Sequence, residues 1–132
     1  MGVNHLLDTH VLLWLLAAPH RVPEHVRDAL ADRGSGLVVS AVSAMEVSTK
    51  HRLGRLTEAE GLLAGWSPRV AEIGATELPL ETDAALLAGR LDWAHRDPFD
   101  RLLVAQAMTE NLVLVSVDRA VTGFPGLRTL TW

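Results

Sequence analysis

The sequence predicts an α/β fold with a central, mainly parallel sheet. Short unbroken apolar runs, Leu37-Val38-Val39 and Leu112-Val113-Leu114-Val115, suit strands covered on both faces, as strands of parallel sheets are. Longer segments with helical spacing separate them, which is the order of β–α units. Acids also recur where a strand meets a helix, at Asp8 and Asp118 among others, and in open α/β sheets ligands bind at the carboxyl ends of strands.

Residues 3–7, VNHLL, predict the first strand, with Asp8 at its end. The helix over 10–18 carries Val11, Leu12, Leu13, Trp14, Leu15 and Leu16, apolar nearly all round. Both of its faces therefore need cover, one from the sheet and the other from a second helix or a partner. Pro19 ends it, and Pro23 opens a helix over 23–33 that Gly34 and Gly36 stop. After the strand at 37–40, Ser43 and Glu46 make an S-x-x-E capping box, so a helix is expected from there to about 53, ending in Lys50-His51-Arg52. Thr57 and Glu60 repeat the pattern and predict a helix over 58–65, with Pro68 interrupting and a resumption over 69–73. Residues 76–80 read as a strand near a sheet edge, because Pro79 cannot donate to a ladder. Thr82 caps a helix over 83–92. Asp97 caps the next, with Pro98 at its first position, and that helix runs to about 111. The strand at 112–115 follows, then Asp118, a turn through Gly123-Phe124-Pro125-Gly126, and a last strand over 127–131.

A chain of 132 residues that is 48% hydrophobic is expected to form a single domain, 1–132, with a real core, not a disordered tail. It has no Cys, which excludes disulfides and thiolate metal sites. The N-terminus lacks a basic region ahead of an apolar run, and the apolar stretch 11–18 is too short to cross a bilayer, so a cytoplasmic protein without membrane contact is expected. A net charge of −4 argues against a broad nucleic-acid surface. The objection weakens if Asp8, Glu46, Asp97, Asp100 and Asp118 are pooled at one site: removing those five from the 16 acids leaves 11 against 12 Lys and Arg.

Each of these acids has a local explanation. Asp8 and Asp97 suit N-caps, Glu46 the capping box, Asp100 the positive end of a helix dipole and Asp118 the start of a turn. Their joint placement suggests more. In a right-handed parallel α/β sheet the strand ends and helix starts share one edge. Carboxylates gathered there repel one another, and a hard divalent cation relieves that. Oxygen donors without Cys select Mg²⁺ or Mn²⁺, so the residues point to phosphoryl or phosphodiester chemistry.

Four segments carry a family likeness: LLDTHVLLW at 6–14, SAMEVSTKHRLGRL at 43–56, HRDPFDRLLVAQA at 95–107 and LVLVSVD at 112–118. Together they resemble PIN domains, most of all the VapC-type toxins of bacterial toxin–antitoxin pairs. The third segment is specific; LLDT alone would be weak. The resemblance implies a PIN-like three-layer α/β/α sandwich whose mainly parallel sheet has four to five strands. It implies a Mg²⁺- or Mn²⁺-dependent endoribonuclease that leaves 5′-phosphate and 3′-hydroxyl ends. It also implies a homodimer, and a cognate antitoxin that lays a segment across the toxin's groove and active site. By position, Asp8, Glu46, Asp100 and Asp118 match the family's catalytic, metal-binding acids, the last being less uniform. Asp97 is either the helix cap or a further ligand. Thr9 and Ser116 are nearby hydroxyls suited to holding a water or a carboxylate. Lys50, Arg52, Arg55, Arg96, Arg101 and Arg119 lie close to the acids in sequence and are candidate contacts for the RNA backbone.

Three other readings compete. A phospho-acceptor switch of the receiver type needs a paired acid after the first strand and a late Lys, whereas Asp8 is followed by Thr9 and Lys50 is the only Lys. A PIN-like scaffold with an inactive site would serve as a protein-binding module. An RNA-processing nuclease outside toxin–antitoxin biology would keep the same acids.

Overall fold

The computed structural model describes residues 2–132. Five strands, β1 (Val3–Leu7), β2 (Ser35–Ser40), β3 (Ala75–Leu78), β4 (Val113–Val115) and β5 (Thr129–Leu130), form one sheet in the order β3-β2-β1-β4-β5. Every neighbouring pair is parallel. The helices are α1 (Thr9–Ala17), α2 (Glu24–Ala31), α3 (Ala41–Arg52), α4 (Glu60–Ala64), α5 (Trp66–Glu72), α6 (Thr82–Arg90), α7 (Pro98–Thr109) and α8 (Arg119–Thr122).

The strand pleat sorts the apolar runs into two cores. Leu6 pairs in register with Val38 and Leu114, and these three join Leu103 and Val104 of α7 and Val121 of α8 on one face. The next residues along, Leu7, Val39 and Val115, join Val11 and Leu12 of α1, Val26 and Leu30 of α2 and Val70 of α5 on the other. This is the expected three-layer sandwich, and its two covered faces are why the strands read as unbroken apolar runs and not as alternation. Leu6, Leu7 and Leu114 are fully buried; burying each such side chain contributes about 1.5–3 kcal/mol. The apolar girth of α1 is explained as well: Val11 and Leu12 face the sheet, while Leu13 and Leu16 pack on Val47, Ala59 and Leu62 of the α3–α4 region.

Several element boundaries differ from expectation. α3 begins at Ala41, directly off β2, and its cap is Ser40, whose Oγ accepts the Val42 N–H at 2.9 Å. The Ser43–Glu46 capping box is therefore not used. Ser43 lies inside the helix, and its hydroxyl is hydrogen-bonded to that of Thr9 at 2.9 Å. Strand and helix share a junction residue with no loop between, so the cap falls on the last strand residue. Thr57–Ala59 is a 3₁₀ turn, and neither it nor α4 has a side-chain cap. The break before α5 falls at Gly65, whereas Pro68 sits within the first turn of α5, where its missing N–H has no intrahelical partner to lose. Thr82 is the first residue of α6 and not its cap. Gly36 belongs to β2, opposite Asn4, and does not terminate α2. α7 ends at Thr109, and Asn111 takes the left-handed conformation (φ 55°) that turns the chain into β4. β3 lies at the sheet edge, as Pro79 suggested.

Candidate metal centre

The order β2-β1-β4 places three adjacent strand ends at one edge, and the helices that leave them begin there. Asp8 follows β1, with its backbone N–H bonded to the Val115 carbonyl at 2.9 Å. It is the N-cap of α1 by position, yet its side chain makes no cap bond. The carboxylate is buried, and Oδ2 accepts the Ser116 hydroxyl at 2.5 Å. The same Ser116 Oγ accepts the Asp118 N–H at 3.1 Å, so one buried hydroxyl orients Asp8 and anchors the turn bearing Asp118.

Glu46 lies in the second turn of α3 and is 3% exposed. Its Oε2 meets Lys50 Nζ at 2.5 Å, a pair made by i,i+4 spacing. Its Oε1 is buried and has no hydrogen-bond partner. A buried charged oxygen left this way is costly, and each such atom in a native structure calls for an explanation.

Asp100, in the first turn of α7, accepts a hydrogen bond on Oδ2 from His95 Nε2 at 2.7 Å. His95, Asp100 and Asp118 each offer a donor atom, and the three atoms lie within 4.8 Å of one another. Asp97 Oδ1 accepts the N–H groups of Phe99 (2.9 Å) and Asp100 (3.2 Å), the cap expected of it. Asp118 Oδ1 caps α8 through the Ala120 N–H at 2.9 Å.

The electrostatics match this crowding. Burial raises the Asp8 carboxyl above its ordinary range, and the charge of Glu46 adds to that against the opposing Ser116 bond and His10. Burial likewise pushes Asp100 up to about 6, against the His95 bond, with the charges of Asp97, Asp8 and Asp118 adding to the rise. The acids of α1, α3, α7 and α8 therefore sense one another at one edge, and the protein's own cations do not neutralise them fully.

The cations fall into two groups. Arg52, Arg55, Arg96 and Arg119 are exposed. Arg101 is not presented to solvent in that way. Its Nε donates to the Ala88 carbonyl (2.9 Å), Nη1 to those of Trp93 (2.7 Å) and His95 (3.1 Å), and Nη2 to that of Leu91 (2.8 Å). The rigid guanidinium fork is filled by the 88–95 backbone, so Arg101 is a clamp on that segment and not the phosphate contact its place beside Asp100 suggested. Lys50 faces Glu46. Of the two hydroxyls singled out from the sequence, Ser116 holds a carboxylate, whereas Thr9 bonds Ser43. His95 was missed: it lies in no helix or strand, and only its presence in the HRDPFD segment hinted at it.

Beside α1 runs an apolar groove of about 400 Å³ lined by Leu13, Trp14, Leu16, Leu56 and Leu62, with Arg21, Glu58 and Arg69 also on its walls. Arg21 stacks over the Trp14 ring at 4.8 Å.

A parallel α/β sandwich with acids gathered at the carboxyl edge of its sheet is an architecture suited to binding a hard cation. The PIN domain family model matches residues 5–125, and the chain belongs to the PIN domain family. Among solved structures it is similar to VapBC2 from Rickettsia felis bound to a DNA fragment from their promoter, at 13% identity and a TM-score of 0.71 over 98% of this chain and 99% of that one. It is similar to DNA-bound VapBC from Salmonella typhimurium, at 21% identity and a TM-score of 0.71 over 98% of both chains. FitAcB from Neisseria gonorrhoeae matches at 18% identity and a TM-score of 0.63 over 96% of both chains. At these identities the likeness establishes the fold. No curated protein gives a significant sequence match.

Proposed function

We propose that the protein is a divalent-metal-dependent endoribonuclease that acts as the toxin of a type II toxin–antitoxin pair. The observation that carries the reading is the unpartnered, buried Glu46 Oε1, on a residue whose charge adds to the burial that raises the Asp8 carboxyl, at the edge where burial and the neighbouring carboxylates, Asp8 among them, also raise Asp100. An orphaned anionic oxygen among crowded carboxylates fits a hard cation, and the oxygen-rich donor set favours Mg²⁺ or Mn²⁺. Asp8 and Asp100 would hold the ion, with Glu46 through Oε1 and Asp118, which lies within ligand reach of Asp100, completing the acidic pocket directly or through waters, and Asp97 kept as the α7 cap. When bound, such an ion supplies the positive charge that activates water and stabilises charge developing on a phosphodiester.

The chain's own residues orient that chemistry. Ser116 fixes the Asp8 carboxylate. Asp97 secures the start of α7, and with it the backbone of Asp100. Lys50 compensates one oxygen of Glu46 and leaves the other for the ion. Arg96 and Arg119, next in sequence to Asp97 and Asp118, with Arg52 and Arg55 at the end of α3, are the cations proposed to meet the RNA backbone. The groove along α1, the helix that starts directly after Asp8, supports the antitoxin reading, because an apolar channel of this size suits a docked amphipathic segment. Solved structures of this fold also include a toxin–antitoxin complex from Klebsiella pneumoniae and VapBC-1 from nontypeable Haemophilus influenzae.

Cleavage of total bacterial RNA by the purified chain tests the reading. Mn²⁺ or Mg²⁺ is compared with EDTA, Asp100→Asn is run alongside, and new 5′ ends are mapped. Discrete metal-dependent cuts with 5′-phosphates, absent from the variant, are expected. Cleavage that persists in EDTA, or no cleavage from folded, metal-loaded protein, overturns the reading and leaves an inactive binding module as the better one.

A further inference from the structure

We propose that His95 is a positioning residue for the metal centre: its Nε2–H holds Oδ2 of Asp100 and leaves the other carboxylate oxygen to bind the ion. The inference rests on the metal-centre reading above and assigns a role to a side chain that the acids alone do not require.

Three independent interactions fix where His95 stands. Its Nε2 lies 2.7 Å from Asp100 Oδ2, a hydrogen-bond distance, with Nε2 the donor to an ionised carboxylate. Its ring packs against Trp93, with centroids 4.8 Å apart and planes tilted by 38°, and Trp93 in turn meets the edge of Phe124 at 5.1 Å. Its backbone carbonyl accepts from Arg101 Nη1, whose fork also holds the carbonyls of Leu91 and Trp93. Residues 91–97 form no helix or strand. Without these interactions the segment would be free to carry the imidazole away from the site. The Arg101 clamp and the Trp93–Phe124 packing replace the missing secondary structure.

The bond serves the carboxylate. Asp100 has two oxygens, and an unanchored side chain in the first turn of a helix can rotate either toward the ion or toward its own backbone. A donor on Oδ2 removes that freedom and sets the rotamer before the ion arrives. Groups that orient metal-binding carboxylates commonly contribute roughly 10- to 100-fold in metal affinity. An Nε2–H donated to Asp100 Oδ2 is not free to ligate at the same time, and Mn²⁺ spectra distinguish this positioning role from a ligating imidazole.

Mn²⁺ titration by calorimetry and by electron paramagnetic resonance tests the assignment without RNA. Four proteins are compared: wild type, His95→Ala, His95→Gln and Asp100→Asn, each checked by circular dichroism and thermal melting. The expected result is Mn²⁺ affinity lowered roughly 10- to 100-fold in His95→Ala and largely recovered in His95→Gln, whose amide N–H can replace Nε2–H. Wild-type Mn²⁺ spectra should show no directly coordinated nitrogen. Undiminished affinity in His95→Ala, no recovery in folded His95→Gln, or a ¹⁴N coupling of a ligated imidazole each overturns the proposal. A wild-type protein that takes up no Mn²⁺ overturns both this and the metal-centre reading. Mn²⁺ uptake that depends on His95 in a protein that cuts no RNA overturns the nuclease reading alone.

Discussion

The two halves of the acidic edge are built differently. Asp8 and Glu46 are 6% and 3% exposed, stand at the end of the central β1 and on α3, and take their partners from a buried hydroxyl and a neighbouring lysine. Asp100 and Asp118 are more accessible, stand at the starts of α7 and α8, and are held by a histidine and by backbone N–H groups. The first half is locked by the sheet, so its charges are expensive and its geometry is set. The second half hangs on a clamped segment and on helix caps, so its geometry depends on fewer interactions. A metal centre of this design would take its rigidity from one wall and its access for substrate from the other.

The sharpest way to break the comparison is to neutralise one acid from each wall. Asp8→Asn and Asp100→Asn are both expected to abolish metal-dependent RNA cleavage, by about 10³-fold or more, while the far-ultraviolet circular dichroism stays native. Substantial activity in either variant would remove that acid from the centre.

The metal-free protein should separate the walls by pH. The Asp100 carboxyl is raised from 3.8 to about 6 in the fold, so between those values the native state holds more protons than the unfolded state. Stability attributable to this group therefore falls as pH rises through that window. In EDTA, the wild-type melting temperature should drop between about pH 4 and pH 6. The drop should be smaller in Asp100→Asn and largely offset by Mn²⁺. A drop of equal size in the variant would place the burden on Asp8, whose shift has the same sign.

Ser116→Ala tests the locked wall. It leaves a buried carboxylate oxygen of Asp8 without its donor and should cost about 1–3 kcal/mol in urea unfolding at neutral pH. It should also cost metal affinity. A change of a few tenths would mean that water replaces the hydroxyl and that the wall is looser than its burial suggests.

The smallest effect concerns RNA. Arg52→Glu with Arg55→Glu should weaken binding to single-stranded RNA and lower the salt slope by about 0.7 for each phosphate no longer neutralised. The same charge reversal at Arg101 is expected instead to loosen the 88–95 segment and lower the melting temperature, because its partners are carbonyls and not phosphates.

Much of this architecture is local in origin and could be read from the residues. The unbroken runs at 37–39 and 112–115 announced strands covered on both faces, and Asp97-Pro98 announced a helix start that forms with Asp97 as its cap. Where the reading failed, two local signals competed. The S-x-x-E pattern pointed to Ser43 as the cap of α3, and the absence of a loop after β2 moved the cap to Ser40. Asp8 resembled a cap and is not one, because a hydroxyl 108 residues away binds its carboxylate first. Arg101 resembled a nucleic-acid contact because sequence shows neighbours and not the carbonyls that a loop folds back onto it.

The sequence by itself determined the element types, the parallel sheet and the line of acids at strand ends and helix starts, because periodicity and caps act within a few residues. Only the tertiary structure decided which acids meet and what holds them. The strand order puts β1 between β2 and β4, which brings Asp8 to Ser116 and, through α3, near Glu46. The clamp of Arg101 carries His95 to Asp100. Those pairings join residues far apart in sequence or held by an irregular segment, and no local pattern encodes them.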